Sequence, residues 1–212
     1  MVDNIIFKIA YIIASYLLGS VVFGYIMAKI LKKEGFGKID RPGTAGAGRL
    51  YGLKASVPTF FFDVGKGVAV PLVGKLIGLD MLTIVFATLA VIIGHNWPLF
   101  FKFRGGGGIA TTIGISFVLI PKEAAIAFTI ALAVGYTYKY TLGKKHKVNP
   151  NVVGSALGTF LLPVFTYIFY KPISLNEPFL YNEPLLLIIL FSTMFLIILT
   201  KGLILHFAYR NI

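Results

Sequence analysis

The sequence predicts an all-α, polytopic membrane protein, and three features carry that prediction. Of the 212 residues, 57% are hydrophobic and 13% charged, where a soluble domain carries about 25% charged residues. The mean hydropathy is +0.85. The apolar residues gather into about seven runs, several of them near the roughly 20 residues that cross a bilayer. Inside a bilayer each main-chain N–H and C=O must be bonded within the protein, so such runs are expected as helices.

In chain order the runs are residues 5–31, 56–76, 81–97, 109–120, 124–140, 152–170 and 185–207. The first lacks a basic leading region and is long for a cleaved signal, so it is expected as a retained span. The fourth is short and is joined to the fifth by Pro121, Lys122 and Glu123. No linker or internal repeat divides the chain, and one transmembrane domain over residues 1–212 is expected. With the N-terminus outside, the inner segments hold 15 Lys and Arg and the outer segments 4, while Lys66 lies within a run. Basic residues favour the cytoplasmic side, so the N-terminus is expected out and the C-terminus in.

That rule is the first explanation of the formal net charge of +12. Anionic membrane lipid or a phosphorylated substrate is the second, and nucleic acid is not an expected partner. Cysteine is absent, which excludes disulfides, zinc–thiolate sites and cysteine nucleophiles. None of the three histidines has metal-ligand spacing with carboxylates, so no metal is expected. A nucleophile elbow and a P-loop are missing. The fifth residue after His95 is Phe100, not the aspartate of soluble acyltransferases.

The chain is organised around residues 94–112. Here Gly94-His95-Asn96-Trp97-Pro98 leads through Lys102 and Arg104 to four glycines, Gly105, Gly106, Gly107 and Gly108, and then to Thr111 at the start of an apolar run. Free N–H groups of successive glycines form an anion nest, and a helix N-terminus adds partial positive charge. The stretch is either such a phosphate cradle or a flexible hinge between spans. Residues 35–52 form a second glycine-rich basic loop, either an oxyanion site with Arg41, Thr44 and Arg49 as candidate phosphate ligands or an interfacial loop whose arginines meet lipid headgroups. Asp63 and Lys66 are charged residues inside an apolar run, each costing about 2.5–3.5 kcal/mol there unless paired. Their i, i+3 spacing allows a structural buried pair. The run Lys144-Lys145-His146-Lys147 reads as a topology anchor.

These residues resemble the bacterial acyl-phosphate:glycerol-3-phosphate acyltransferases, the PlsY family. The match runs through Gly94, His95, Asn96, Trp97, Pro98, Phe100, Phe103, Gly105, Gly106, Gly108, Ala110 and Thr111. Leu18, Gly19, Ser20, Phe23 and Gly24 resemble the family's first span, and Asp63, Lys66 and Gly67 its second. The resemblance implies acyl transfer from acyl phosphate to glycerol 3-phosphate in phospholipid synthesis at the bacterial inner membrane, with no cofactor. It implies catalytic roles for His95, Asn96, His206 and Asn211. Acyl-phosphate binding would fall to Gly105, Gly106, Gly107, Gly108, Arg104 and Thr111, and glycerol 3-phosphate to Thr44, Arg49 and Arg41.

Three departures stand against the family pattern. The first motif has lost both asparagines around Thr44; Gly107 stands where the family has a lysine, with Arg104 as the expected compensating cation; and His206 lies two residues early in the third motif. They leave open a non-catalytic lipid-phosphate-binding homologue, or an acyltransferase with another phosphorylated acceptor. An anion transporter is disfavoured because the polar loops crowd one face.

Overall fold

The computed structural model describes residues 4–31, 36, 40–141, 150–169 and 184–208, which are helical throughout apart from turns and one isolated Phe36–Asp40 bridge. The helices are α1 (Ile5–Ser20), α2 (Phe23–Ile30), α3 (Thr44–Tyr51), α4 (Leu53–Leu76), α5 (Met81–Asn96), α6 (Ile109–Leu119), α7 (Pro121–Tyr140), α8 (Pro150–Phe169) and α9 (Pro184–Ala208), with a 3₁₀ turn at Leu99–Phe101. Among the described residues five stretches are long and apolar enough to cross a membrane: Ile5–Ile30, Leu53–Leu76, Met81–Phe101, Val152–Phe169 and Pro184–Leu205. α6 is apolar but only 11 residues long, and α7 is not among the five. The protein is an integral, multi-pass, all-α membrane protein.

Two local features differ from the sequence expectation. Residues 5–31 are two helices, because Val21 and Val22 take extended backbone between α1 and α2. The carbonyls of Gly19 and Val21 accept from the Lys66 ammonium of α4, at 3.1 and 3.2 Å. A helix end leaves carbonyls without intrahelical partners, and here a side chain from another helix serves two of them. The expected loop over residues 35–52 contains α3. Its first turn closes by Ala47 N–H donating to the Gly43 carbonyl, and Gly52, with φ +73°, ends it and starts α4 at once.

Two compact units divide the chain: Met1–Ile115 with Ile197–Ile212, and Ser116–Leu196. In the first, helices approach backbone to backbone at glycines. A Cβ at Gly19 would strike the Val91 carbonyl, and one at Gly94 the Tyr16 carbonyl, so α1 lies directly on α5. Gly67 against the Thr111 carbonyl and Gly114 against the Val64 carbonyl join α4 to α6 in the same way. Between apolar helices in lipid no hydrophobic gain remains, and close van der Waals approach through small residues takes its place. A small apolar core of Met27, Ala47 and Ala55, edged by Phe23, Leu31, Phe36 and Tyr51, seats α3. In the second unit α7 packs on α8, where Gly158 faces Ala131 and Phe128, and Phe160 meets Phe195 of α9 edge-on at 5.5 Å.

Gly94→Val is expected to destabilise the protein by about 1–3 kcal/mol, the cost of overpacking a tight contact, seen as a lower unfolding temperature in detergent. Gly65→Ala, where an added Cβ meets nothing within 4 Å, is expected to hold or raise that temperature.

Candidate active site

The site begins with a buried ionic cluster. Lys66 Nζ lies 3.0 Å from Asp63 Oδ1, one turn away on α4, and 2.8 Å from His95 Nδ1 on α5. Asp63 Oδ1 is 3.5 Å from the same ring nitrogen. Asp63, Lys66 and His95 are 1%, 7% and 2% exposed. Burial at that depth is tolerated because each charge has a counter-charge or a hydrogen-bonding partner.

Beyond His95 the chain turns back on itself. α5 ends at Asn96, the 3₁₀ turn follows, and Lys102 and Phe103 take left-handed backbone at φ 51° and 59°. Residues with a Cβ adopt that region only at a cost; the Phe103 N–H donation to the Pro98 carbonyl, at 2.9 Å, helps to hold it. The reversal lays the four glycines against the end of α5. Gly106 N–H donates to the His95 carbonyl at 3.1 Å, so this N–H is not free for an anion as the sequence expected. A Cβ at Gly106 would strike His95 Nε2, and one at Gly105 the His95 carbonyl. Gly108 has φ +79°, and a Cβ there would sit 2.9 Å from Asn96 Oδ1. Among the described residues the N–H groups of Gly105, Gly107 and Gly108 have no acceptor.

The first basic segment meets this bend. A Cβ built on Gly43 would lie 3.8 Å from Gly106 Cα, and one built on Gly107 would lie 3.7 Å from Arg41 Nη1. The cation beside Gly107 is therefore Arg41. Arg104, expected there from sequence, is exposed, and its carbonyl accepts from Tyr25 Oη at 2.8 Å. Arg49 holds Asp40 through Nε and Nη2 at 2.7 and 2.8 Å. Partial burial pushes the Asp40 carboxyl up, but the Arg49 hydrogen bonds, the Arg41 N–H and both arginine charges outweigh it and hold it below the usual carboxylate range. The same hydrogen bond raises the Arg49 guanidinium.

Buried polar atoms without hydrogen-bond partners among the described residues include both amide atoms of Asn96, Thr111 Oγ1 and Thr44 Oγ1. Asn96 and Thr111 are each 0% exposed. Buried polar groups are hydrogen-bonded in the large majority of cases, so unpartnered ones mark where a ligand or water belongs. Lys201 of α9, 4% exposed, places its ammonium 4.9 Å from the Trp97 ring centroid. Sequence reasoning counted Lys201 only as an inner-side charge, although its place inside an apolar run carried the same signal as Lys66. The His206 side chain and Asn211 lie outside the described residues. Among the described residues no three His, Asp or Glu side chains gather as a metal site requires. The site can bind oxyanions by N–H groups and guanidinium, beside an imidazole and an amide able to polarise a carbonyl or phosphate.

The glycerol-3-phosphate acyltransferase family model matches residues 9–207 of the chain. The chain belongs to that family. A glycerol-3-phosphate acyltransferase of Shouchella clausii is 40% identical over 145 residues, covering 66% of this chain and 70% of the relative. One from Thermoanaerobacter pseudethanolicus is 39% identical over 133 residues, 60% of this chain and 65% of the relative. The matched stretch thus spans about two thirds of the length of these curated relatives. The fold is that of PlsY (YgiH), described as an integral membrane glycerol 3-phosphate acyltransferase. Its glycerol 3-phosphate form superposes with a TM-score of 0.75 at 24% identity. Its lysophosphatidic acid form gives 0.74 at 26%, and both cover 96% of this chain and 90% of that one.

For this family member, the lowered Asp40 fixes the sign of a pH effect. Its pairing with Arg49 contributes fully above the unfolded carboxyl value of about 3.9 and is lost as pH falls through the lower folded-state value. Asp40→Asn is expected to cost about 0–1 kcal/mol at pH 7, as for partly exposed pairs. Thermal unfolding should show that gap narrowing steadily below pH 4.

Proposed function

We propose that this chain transfers the acyl group of an acyl phosphate to the sn-1 hydroxyl of glycerol 3-phosphate, at the cytoplasmic face of a bacterial inner membrane. The hydroxyl oxygen bonds to the acyl carbon, the bond from that carbon to the phosphate oxygen breaks, and the hydroxyl proton leaves with inorganic phosphate. The product is lysophosphatidate for phospholipid synthesis. Family membership supports this reading, and one observation carries it at the level of residues. Arg41 and Gly43 lie against Gly106 and Gly107, beside His95 and the unpartnered amide of Asn96.

In this reading the N–H groups of Gly105, Gly107 and Gly108, with Thr111 and Arg104, hold the acyl phosphate. Arg41, Thr44 and Arg49 hold glycerol 3-phosphate, Arg49 in balance with Asp40. His95 and Asn96, with His206 and Asn211, orient and polarise the reacting groups. Holding two anions side by side in a near-attack geometry supplies much of the rate in such transfers. Donors aimed at the developing oxyanion supply more. The acyl chain lies among the spans, about seven helices place the N-terminus out and the C-terminus in, and residues 1–212 act as one membrane domain without a metal or cofactor. A non-catalytic lipid-phosphate binder is the second reading, favoured by glycine at position 107.

Purified protein given acyl phosphate and labelled glycerol 3-phosphate is expected to release labelled lysophosphatidate. Asn96→Ala should lower kcat by about 10²–10³-fold, the usual cost of one oxyanion donor. Saturable acyl-phosphate binding with no product, across a panel of phosphorylated alcohols, would select the second reading instead.

A further inference from the structure

We propose that Lys66 is a positioning residue that fixes His95 as a neutral imidazole with its proton on Nε2, so that the ring serves the glycine bend as a hydrogen-bond donor and not as a base. What the donor meets, an oxygen of the bound acyl phosphate, rests on the function proposed above. The state of the ring does not.

The geometry around His95 Nδ1 decides the tautomer. Two groups face that nitrogen: the Lys66 ammonium at 2.8 Å and Asp63 Oδ1 at 3.5 Å. An aspartate paired with a histidine ordinarily accepts Nδ1–H and leaves Nε2 bare as a base. Here the lysine stands closer to the ring nitrogen than the aspartate does. An ammonium has three donors and no acceptor, and those of Lys66 meet the carbonyls of Gly19 and Val21 and His95 Nδ1, with Asp63 Oδ1 beside the ammonium as its counter-charge. A protonated Nδ1 would set two donors face to face at 2.8 Å in a buried site, with an acceptor only at the outer limit of hydrogen-bond length. A bare Nδ1 instead accepts from the ammonium. The hydrogen bond made by one ring nitrogen fixes the proton on the other.

The proton-bearing Nε2 faces the tetraglycine bend, for a Cβ at Gly106 would collide with it. Glycine at 106 therefore keeps open the approach to the donor. The neighbouring Asn96 amide and the free N–H groups of Gly105, Gly107 and Gly108 are of the same donor character, which suits an oxygen-rich anion.

The test uses full-length protein in lipid nanodiscs, labelled with ¹⁵N in the histidine rings, without substrate. His95→Gln identifies the His95 signals by their loss. The expected wild-type spectrum has a protonated-type resonance for Nε2 and an unprotonated-type resonance for Nδ1 at neutral pH. Lys66→Met should exchange or mix the two, while Lys66→Arg, which keeps a donor cation, should preserve them. A wild-type Nδ1–H, or a Lys66→Met spectrum with the wild-type tautomer, would overturn the proposal. Because the readout needs no turnover, a protein that makes no lysophosphatidate leaves this result intact and counts only against the acyltransferase reading.

Discussion

An ammonium group buried among apolar helices must find acceptors or destabilise the fold, and the arrangement around Lys66 follows from that demand. The side chain draws on Asp63 of its own helix, on the ring of His95 in α5, and on the carbonyls of Gly19 and Val21 at the join of α1 and α2. Removing one partner of a buried ion pair typically costs about 3–5 kcal/mol, because the other charge is left uncompensated. The break in the first span, the seating of α5 and the orientation of His95 are thus one electrostatic solution. Replacing any member of the cluster bears on all three.

Glycines set the distances within which that solution works. Gly19 on Val91 and Gly94 on Tyr16 bring α1 against α5, which carries the Gly19 carbonyl to Lys66. Gly67 on Thr111 brings the start of α6 to α4, which presents the tetraglycine bend to the His95 ring. Main chain is stiffer than side chain, so contacts of this kind transmit position with little slack. The left-handed Lys102 and Phe103 complete the reversal, a conformational expense borne beside the candidate site.

Much of this was legible in the sequence and some was not. Helical class followed from apolar run length, and the spacing of Asp63 and Lys66 told that they share a helix face. His95, Asn96 and the four glycines stood out as polar and breaker residues between apolar runs. The break at Val21 and Val22 follows Gly19 and Ser20, but small residues of that kind also occur inside continuous spans, and the lysine that serves the freed carbonyls lies on α4. α3 was hidden by its glycines, which signal loops locally but here permit contact with Arg41 and Ser56. That Arg41 rather than Arg104 stands beside Gly107 is a tertiary fact, 66 positions apart in sequence, with no local trace.

The chain contains a single tryptophan, and it is the residue that follows His95 and Asn96. Its indole lies beneath the Lys201 ammonium, and its carbonyl accepts from Tyr16 Oη at 3.0 Å. Indole emission shifts with the electric field across the ring, so the protein carries an unlabelled optical probe beside its candidate site. Fluorescence from this one chromophore follows events at the end of α5 with no background from elsewhere in the fold.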